Sequence, residues 1–402
     1  MRRAEWSRTV LHQDSGRPAV VLWCVIAAYL AAVQFFIRTG WFTALRHLEF
    51  LHTDVAFGGW LGRDSTEYLS IATDGYLQRQ LVYFPVYPLL INVVDVLPGS
   101  KSLAAIIVTM AGGAIASVAM WKWLPLVGVT GRARVLGLLA MLLYPYSFFL
   151  YGIAYPNAVF LALAISAFVL IERDRLLWAT LLGTISTAAR PSGFAVSIGL
   201  FLVALERSEV FSTGPRAWPW VRALGIPTRV HRERVRWRHF VPLLSLAGLF
   251  AYMAYQWAVW GSPIRWYTEQ SNYHDPGWRS LLKVQYFDAW VDGFAVSHLV
   301  TTTAQGVLLA AVILSVPAVG RRFGWGYAIF VLAAAALPAG GVATFMGVGR
   351  YLIAAFPCFA LLGSWLAEHS EQRPALSRGA VAAAVILIGV MAGAFARGVY
   401  LS

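Results

Sequence analysis

A run of acidic and hydroxyl-bearing residues, Gly62-Arg63-Asp64-Ser65-Thr66-Glu67-Tyr68-Leu69-Ser70-Ile71-Ala72-Thr73-Asp74-Gly75-Tyr76, follows the first apolar stretch of a chain that is otherwise strongly hydrophobic. A carboxylate placed there can take the proton of a hydroxyl group as it attacks, which is the work of a general base. Asp64 is the residue for that role. On residue type alone it reads as readily as a helix N-cap, with Glu67 three positions on completing a capping box and Asp74 solvated beside a turn at Gly75.

Two arginines supply the opposite charge. Arg190, in Ala189-Arg190-Pro191-Ser192-Gly193, and Arg350, in Arg350-Tyr351-Leu352, fall at the expected ends of apolar stretches. A guanidinium forms bidentate pairs with phosphate oxygens, and it can equally reach out to lipid headgroups. Because a charged side chain within a span costs about 2.5 to 3.5 kcal/mol on insertion scales, such residues tend to mark ligands or pathways.

The elements that must position these groups follow from composition. Hydrophobic residues make up 59% and charged residues 13% of the 402 residues, with a mean hydropathy of +0.63, values of a polytopic membrane protein. The 17 Trp and 17 Tyr suit the headgroup zones on both sides. The net charge of +13 does not point to nucleic acid: 29 of the 32 cations are Arg and they gather in short segments between apolar runs, the positive-inside pattern. Anionic membrane lipids are their expected partners. Cys24 and Cys358 lie far apart inside apolar runs, so neither a disulfide nor a metal is assigned to them.

A helix needs about 20 apolar residues to cross the hydrocarbon core. The chain accordingly reads as 11 spans joined by loops. An uncleaved anchor runs from about Ala19 to Ile37, after Arg2, Arg3, Arg8 and Arg17, with the N-terminus cytoplasmic. Residues 38–102 form a long outer loop, and the spans Leu103–Trp123, Val135–Tyr151 and Pro156–Ile171 follow. Between Leu176 and Glu206 lie 31 residues, broken at Arg190-Pro191-Ser192-Gly193. Two short helices meeting there keep the segment Arg207–His239, with its eight arginines, cytoplasmic. Irregular backbone at membrane depth is tolerated only beside protein or a water-filled cavity, so Arg190 is expected to face a cavity. The spans Phe240–Trp260, Leu299–Val319, Trp325–Val342, Tyr351–Leu366 and Gly379–Ala396 complete the set, with a second outer loop at 261–298.

Within the outer loops, Leu81-Val82-Tyr83-Phe84-Pro85-Val86-Tyr87-Pro88-Leu89-Leu90 reads as a rigid interfacial element in which the prolines interrupt regular helix. Tyr68, Leu69, Ile71, Ala72 and Tyr76 could lay an apolar face on the bilayer surface. Trp266 and Tyr267 could stack on a sugar ring or anchor their loop, and Asp288 and Asp292 read as solvated. His274 beside Asp275 is not metal-ligand spacing, and no metal or cofactor is expected.

Five pieces in order resemble the PIG-V-like mannosyltransferases, the family that includes the enzyme adding the second mannose of GPI anchors, within the GT-C superfamily. Arg63-Asp64 through Tyr68, Ile71-Ala72 and Gly75-Tyr76 resembles the family's Asp-containing first outer loop. Tyr83-Phe84-Pro85-Val86-Tyr87-Pro88 is similar to its Phe-Pro-x-Tyr-Pro element. Ser147-Phe148-Phe149-Leu150 with Tyr155 resembles its third-to-fourth span hairpin, Ala189-Arg190-Pro191-Ser192-Gly193 its Arg-Pro-Thr/Ser-Gly break, and Arg350-Tyr351-Leu352 with Phe356-Pro357 its late Arg-Tyr-Leu segment. The chain departs from the family in having Arg63 where Trp commonly precedes the Asp, and Pro156-Asn157-Ala158 in place of Thr-Glu-Ser after the hairpin tyrosine.

The resemblance implies a GT-C-like, all-α membrane enzyme. It would move a mannosyl residue from a polyprenyl-phosphate-mannose donor to a lipid-linked or glycan acceptor on the extracytoplasmic face, inverting the anomeric carbon. Asp64 would be the base, Arg190 and Arg350 would bind the donor phosphate, and Arg63, Glu67, Tyr68, Tyr83, Tyr87, Tyr155 and Tyr351 would line the substrates. The excess of Arg over Lys hints at a GC-rich bacterial genome, hence a plasma-membrane enzyme with an envelope glycolipid or glycoprotein as acceptor. A GT-C transferase of arabinose or glucose is the nearest alternative. A transporter or lipid flippase is the alternative from another class, although the internal repeats and paired mid-membrane charges expected of one are not evident.

Overall fold

The computed structural model describes residues 15–39, 59–214, 218–273, 282–291, 296–341, 344–399 and 401. Arg2, Arg3, Arg8, Arg216, His274, Asp275, Asp292 and residues 40–58 of the first loop lie outside them. Helices make up most of the described chain. The sheet among the described residues is one short antiparallel pair, Phe211–Ser212 with Arg229–Val230, inside the basic segment 207–239.

Five described helices are long and apolar enough to cross a bilayer: Arg17–Ile37, Lys101–Leu126, Trp237–Trp260, Leu299–Phe323 and Pro374–Ala396. A sixth crossing results if Val348–Ala354 and Phe356–Gln372, bent by 78° at their junction, count as one. The chain is an all-α membrane protein. Shorter helices, among them Asn157–Glu172, Leu176–Ala189 and Trp325–Gly341, occupy other stretches read as spans.

The expected span Val135–Tyr151 is not one helix. The helix Gly131–Leu142 stops, and a 3-10 turn at Ser147–Leu150 follows. Pro145 lies in the gap, offers no N–H to a helix and disfavours helical backbone at Tyr144. The break at Arg190 falls where the sequence placed it. Leu176–Ala189 ends, Arg190 is extended at φ −158° and ψ 152°, and Gly193–Arg207 begins. Gly193 fits this turn because a Cβ on it would lie 2.5 Å from the Ser186 carbonyl oxygen. The second helix returns to where the first began, and Arg207 pairs there with Glu172 at 2.7 Å and Asp174 at 2.8 Å.

The prolines of the first loop start a helix where interruption was expected. Pro85 is the N-cap of Val86–Asp95 and Pro88 sits in its first turn, where an N–H has no helical partner to lose. The face on the helix Asp64–Asp74 expected to lie on the bilayer also has another fate. Tyr68 and Ala72 pack with Tyr87, Ile91, Ala104, Ala105 and Val108, on Val86–Asp95 and Lys101–Leu126, so the apolar stripe meets protein and not lipid. Tyr76 turns away to donate its hydroxyl to the Tyr83 carbonyl at 2.8 Å.

The helix Asn157–Glu172 connects two polar clusters. At its C-terminal end Glu172 accepts from Tyr327, whose oxygen accepts the Trp123 indole N–H at 2.9 Å. Close by, the Glu206 carboxylate accepts the backbone N–H groups of Trp325 and Gly326 at 2.6 and 2.9 Å and so caps the helix Trp325–Gly341 from outside it. Between the two ends, Trp123, Phe168, Phe330 and Phe356 form a buried aromatic core. The N-terminal end carries the candidate site.

Candidate active site

Trp60 begins the construction. Its carbonyl oxygen accepts the Ala154 N–H at 2.9 Å, tying the first loop to the bend that follows Ser147–Leu150. Arg63 then takes a left-handed conformation, φ 64°, and occupies the N-cap position of Asp64–Asp74. Asp64 is therefore the first helical residue and not the cap. Its carboxylate faces a helix N-terminus, where negative charge is favoured, and its backbone N–H donates to the Tyr155 hydroxyl oxygen at 3.1 Å. Glu67 makes no capping box either, because its carboxylate accepts the Gln80 amide at 2.7 Å. Asp74 is exposed beside the turn at Gly75, as its type suggests.

The cation on Asp64 comes from 286 positions away. Arg350 Nη1 donates to Asp64 Oδ2 at 2.7 Å, with side chains 14% and 22% exposed. The Arg350 backbone is gripped from three directions: Gln305 Oε1 accepts the N–H of Gly349 at 2.9 Å, the Tyr144 hydroxyl donates to the Gly349 carbonyl at 3.0 Å, and Asn157 Nδ2 donates to the Arg350 carbonyl at 3.1 Å. Its guanidinium lies 5.4 Å from the ring centres of both Tyr155 and Tyr351.

Arg190 arrives on the broken pair of helices and is 7% exposed. Its guanidinium stands 4.4 Å from the ring centre of Tyr351 and 5.8 Å from that of Phe160. Among the described residues it meets these rings, hydrogen-bonds to the Tyr351 side chain and meets no carboxylate. Tyr68 closes the group within electrostatic reach of Arg190, Asp64 and Arg350, and packs edge-on against Tyr83 and Tyr87 at 5.0 and 5.2 Å. Burial pushes the Tyr68 phenol well above its usual range, against the pull of Arg190, so it stays a neutral hydroxyl.

Of the residues singled out in the sequence, Asp64, Arg190, Arg350, Tyr68, Tyr155 and Tyr351 come together. Others serve different ends. Arg63 is exposed and donates to the Gly398 carbonyl, Glu67 holds Gln80, and the Tyr87 hydroxyl is spent on Ala105 and Thr109 at 2.9 and 2.8 Å. Tyr83 touches the group through Tyr68. In the second loop, Trp266 packs edge-on to Phe84, and Glu269 of the same helix accepts the Gln78 amide at 2.7 Å, so that helix docks onto the first loop.

Asn157, Gln305 and Tyr144 were not foreseen. Asn157 at least stood in a visible place, the three residues that depart from the family pattern. Its Oδ1 and the Ser192 Oγ, in the break beside Arg190, are buried without a hydrogen-bond partner. No group of three or more His, Cys, Asp or Glu that could hold a metal occurs among the described residues. In comparisons with protein-family models, curated proteins and solved structures, the chain matches none.

Proposed function

We propose that this chain is a GT-C-type glycosyltransferase that moves mannose from a polyprenyl-phosphate donor to a lipid-linked or glycan acceptor, with inversion and with Asp64 as general base. The observation that carries the reading is the meeting of Asp64 with Arg350 and Arg190, three charged groups from distant parts of the chain, walled by tyrosines. This is the set a glycosyl transfer from phosphate requires. Asp64 takes the acceptor hydroxyl proton as the new bond forms at the anomeric carbon, a contribution of about 10² to 10⁴-fold. The bond from that carbon to the phosphate oxygen breaks, its electron pair leaves with the phosphate, and the two guanidinium groups meet the growing charge. Tyr155 and Tyr351 offer faces for a sugar ring or for the arginines themselves.

Eleven spans, a cytoplasmic N-terminus and an extracytoplasmic site in a bacterial plasma membrane complete the proposal. The test is Asp64→Asn in membranes supplied with labelled polyprenyl-phosphate mannose. Loss of transfer at unchanged expression is expected. Full transfer by the variant removes Asp64 from its role, and lipid or solute movement without sugar transfer favours a transporter.

A further inference from the structure

The proposed base is already engaged. Asp64 Oδ2 accepts from Arg350 Nη1 at 2.7 Å, so the same guanidinium that should meet the donor phosphate is held by the carboxylate that should take a proton. Both tasks cannot be at full strength at once, because the ion pair occupies an oxygen of the carboxylate and a donor of the guanidinium. Nor can Arg350 move as a unit. With its main chain gripped by Asn157, and Gly349 by Gln305 and Tyr144, exchange between partners is confined to the side chain.

Resting on the glycosyltransferase reading, we propose that Arg350 is handed from Asp64 to the phosphate during the reaction, so that protonation of the base and stabilisation of the leaving group are one coupled event. Charge balance supports this. The resting site holds two guanidinium charges, Arg190 and Arg350, against one carboxylate, an excess of one positive charge. A polyprenyl-phosphate sugar is a phosphodiester with one negative charge and neutralises the site. After transfer the acceptor proton sits on Asp64, which is then neutral, and the released phosphate monoester carries about two negative charges. The site is neutral before and after. Negative charge has moved from carboxylate to phosphate, and Arg350 is the cation within reach to follow it.

Arg190 is the fixed half of the arrangement. It is buried against Tyr351 and Phe160 and hydrogen-bonds to Tyr351, with no carboxylate on it among the described residues, so it can receive the phosphate without giving up an ion pair. Donor binding then begins at Arg190 and is completed at Arg350 as Asp64 lets go. The buried, unpartnered Ser192 Oγ two residues along gives the Arg190 side a further hydrogen-bonding group.

The test is a double-mutant cycle read by binding. Full-length protein in detergent is titrated with farnesyl phosphate, with farnesol as the control for the prenyl tail and inorganic phosphate as the control for the headgroup. If Asp64 competes for Arg350, Asp64→Asn should bind farnesyl phosphate about tenfold more tightly than wild type, a change of about 1.4 kcal/mol. Farnesol should not distinguish the two proteins, and inorganic phosphate should follow farnesyl phosphate in direction. In an Arg350→Gln background the gain from Asp64→Asn should disappear. A gain that persists there is plain charge repulsion, and an absent gain means no competition; either overturns the handover. If Asp64→Asn does not fold, Asp64→Ser takes its place in the cycle. Failure of the function is separable: tightening in the cycle without sugar transfer by wild type leaves the ion-pair exchange and removes the transferase, whereas normal transfer without tightening does the reverse.

Discussion

Tyr351 receives two guanidinium groups on one ring: that of Arg190 stands 4.4 Å from the ring centre and that of Arg350 5.4 Å. Two like charges are thereby brought to one place without a carboxylate for each. The ring's electron-rich face offsets part of their repulsion.

Tyr351→Leu removes both attractions, each worth about 0.5 to 2 kcal/mol. The donor KM is expected to rise by about tenfold or more. Tyr351→Phe keeps the ring and should fall between the variant and wild type. Steady-state kinetics with a fixed acceptor checks this, and equal values for all three proteins would leave the ring without a role in donor binding.

Tyr155→Phe separates positioning from packing. The ring that faces Arg350 stays, while the oxygen that accepts the Asp64 N–H at 3.1 Å is lost. A buried donor left unpaired costs about 1 to 3 kcal/mol. Lower turnover and a lower melting temperature are expected, with little change in donor KM.

Gly349→Ala addresses the segment that presents Arg350. A Cβ there would lie 2.3 Å from the Tyr146 ring, itself 2% exposed, so ring or backbone must shift. Overpacking of this kind costs about 1 to 3 kcal/mol. The variant should lose most transfer activity, and a second change, Tyr146→Leu, should return part of it.

Lys283 supplies a pH dependence. It is buried, donates to the Ala339 carbonyl at 2.5 Å, and burial pushes its amine down to about 8 from 10.5. Between those values the unfolded chain binds the proton and the folded one does not, so stability rises with pH across the window from about 8 to 10.5. The melting temperature of wild type relative to Lys283→Met should climb over that range and be flat below it. A difference that stays constant with pH would remove Lys283 as its source.

Residue type and hydropathy made much of this molecule readable. The membrane class followed from composition, the break at Arg190 from Arg-Pro within an apolar run too short for two full spans, the two arginines from the cost of putting such groups in spans, and Asp64 from its place in an acidic outer loop together with the family resemblance. Other features left no mark. Asn157, Gln305 and Tyr144 are neutral residues in apolar surroundings, and their partners at Gly349 and Arg350 lie 193, 44 and 205 positions away, so nothing local announces them. The face of Tyr68 and Ala72 was assigned to lipid because lipid and protein interior are both apolar, and periodicity alone cannot tell one from the other. Of the two readings open for Asp64, cap or base, the cap position is held by Arg63, and the Asp64 carboxylate pairs with Arg350.

The helix Asn157–Glu172 has 16 residues, about 24 Å at 1.5 Å each, whereas the hydrocarbon slab is about 30 Å thick. If that helix crosses the bilayer as proposed, with Glu172 at one surface, Asn157 and the guanidinium it steadies lie several ångströms beneath the other. A headgroup attached to a long isoprenoid needs only to slide sideways and sink a little to arrive there, its tail never leaving the oil. A fully water-borne molecule would have to descend into the protein, so in the proposed orientation the shortness of one rod favours guests that already live in the membrane.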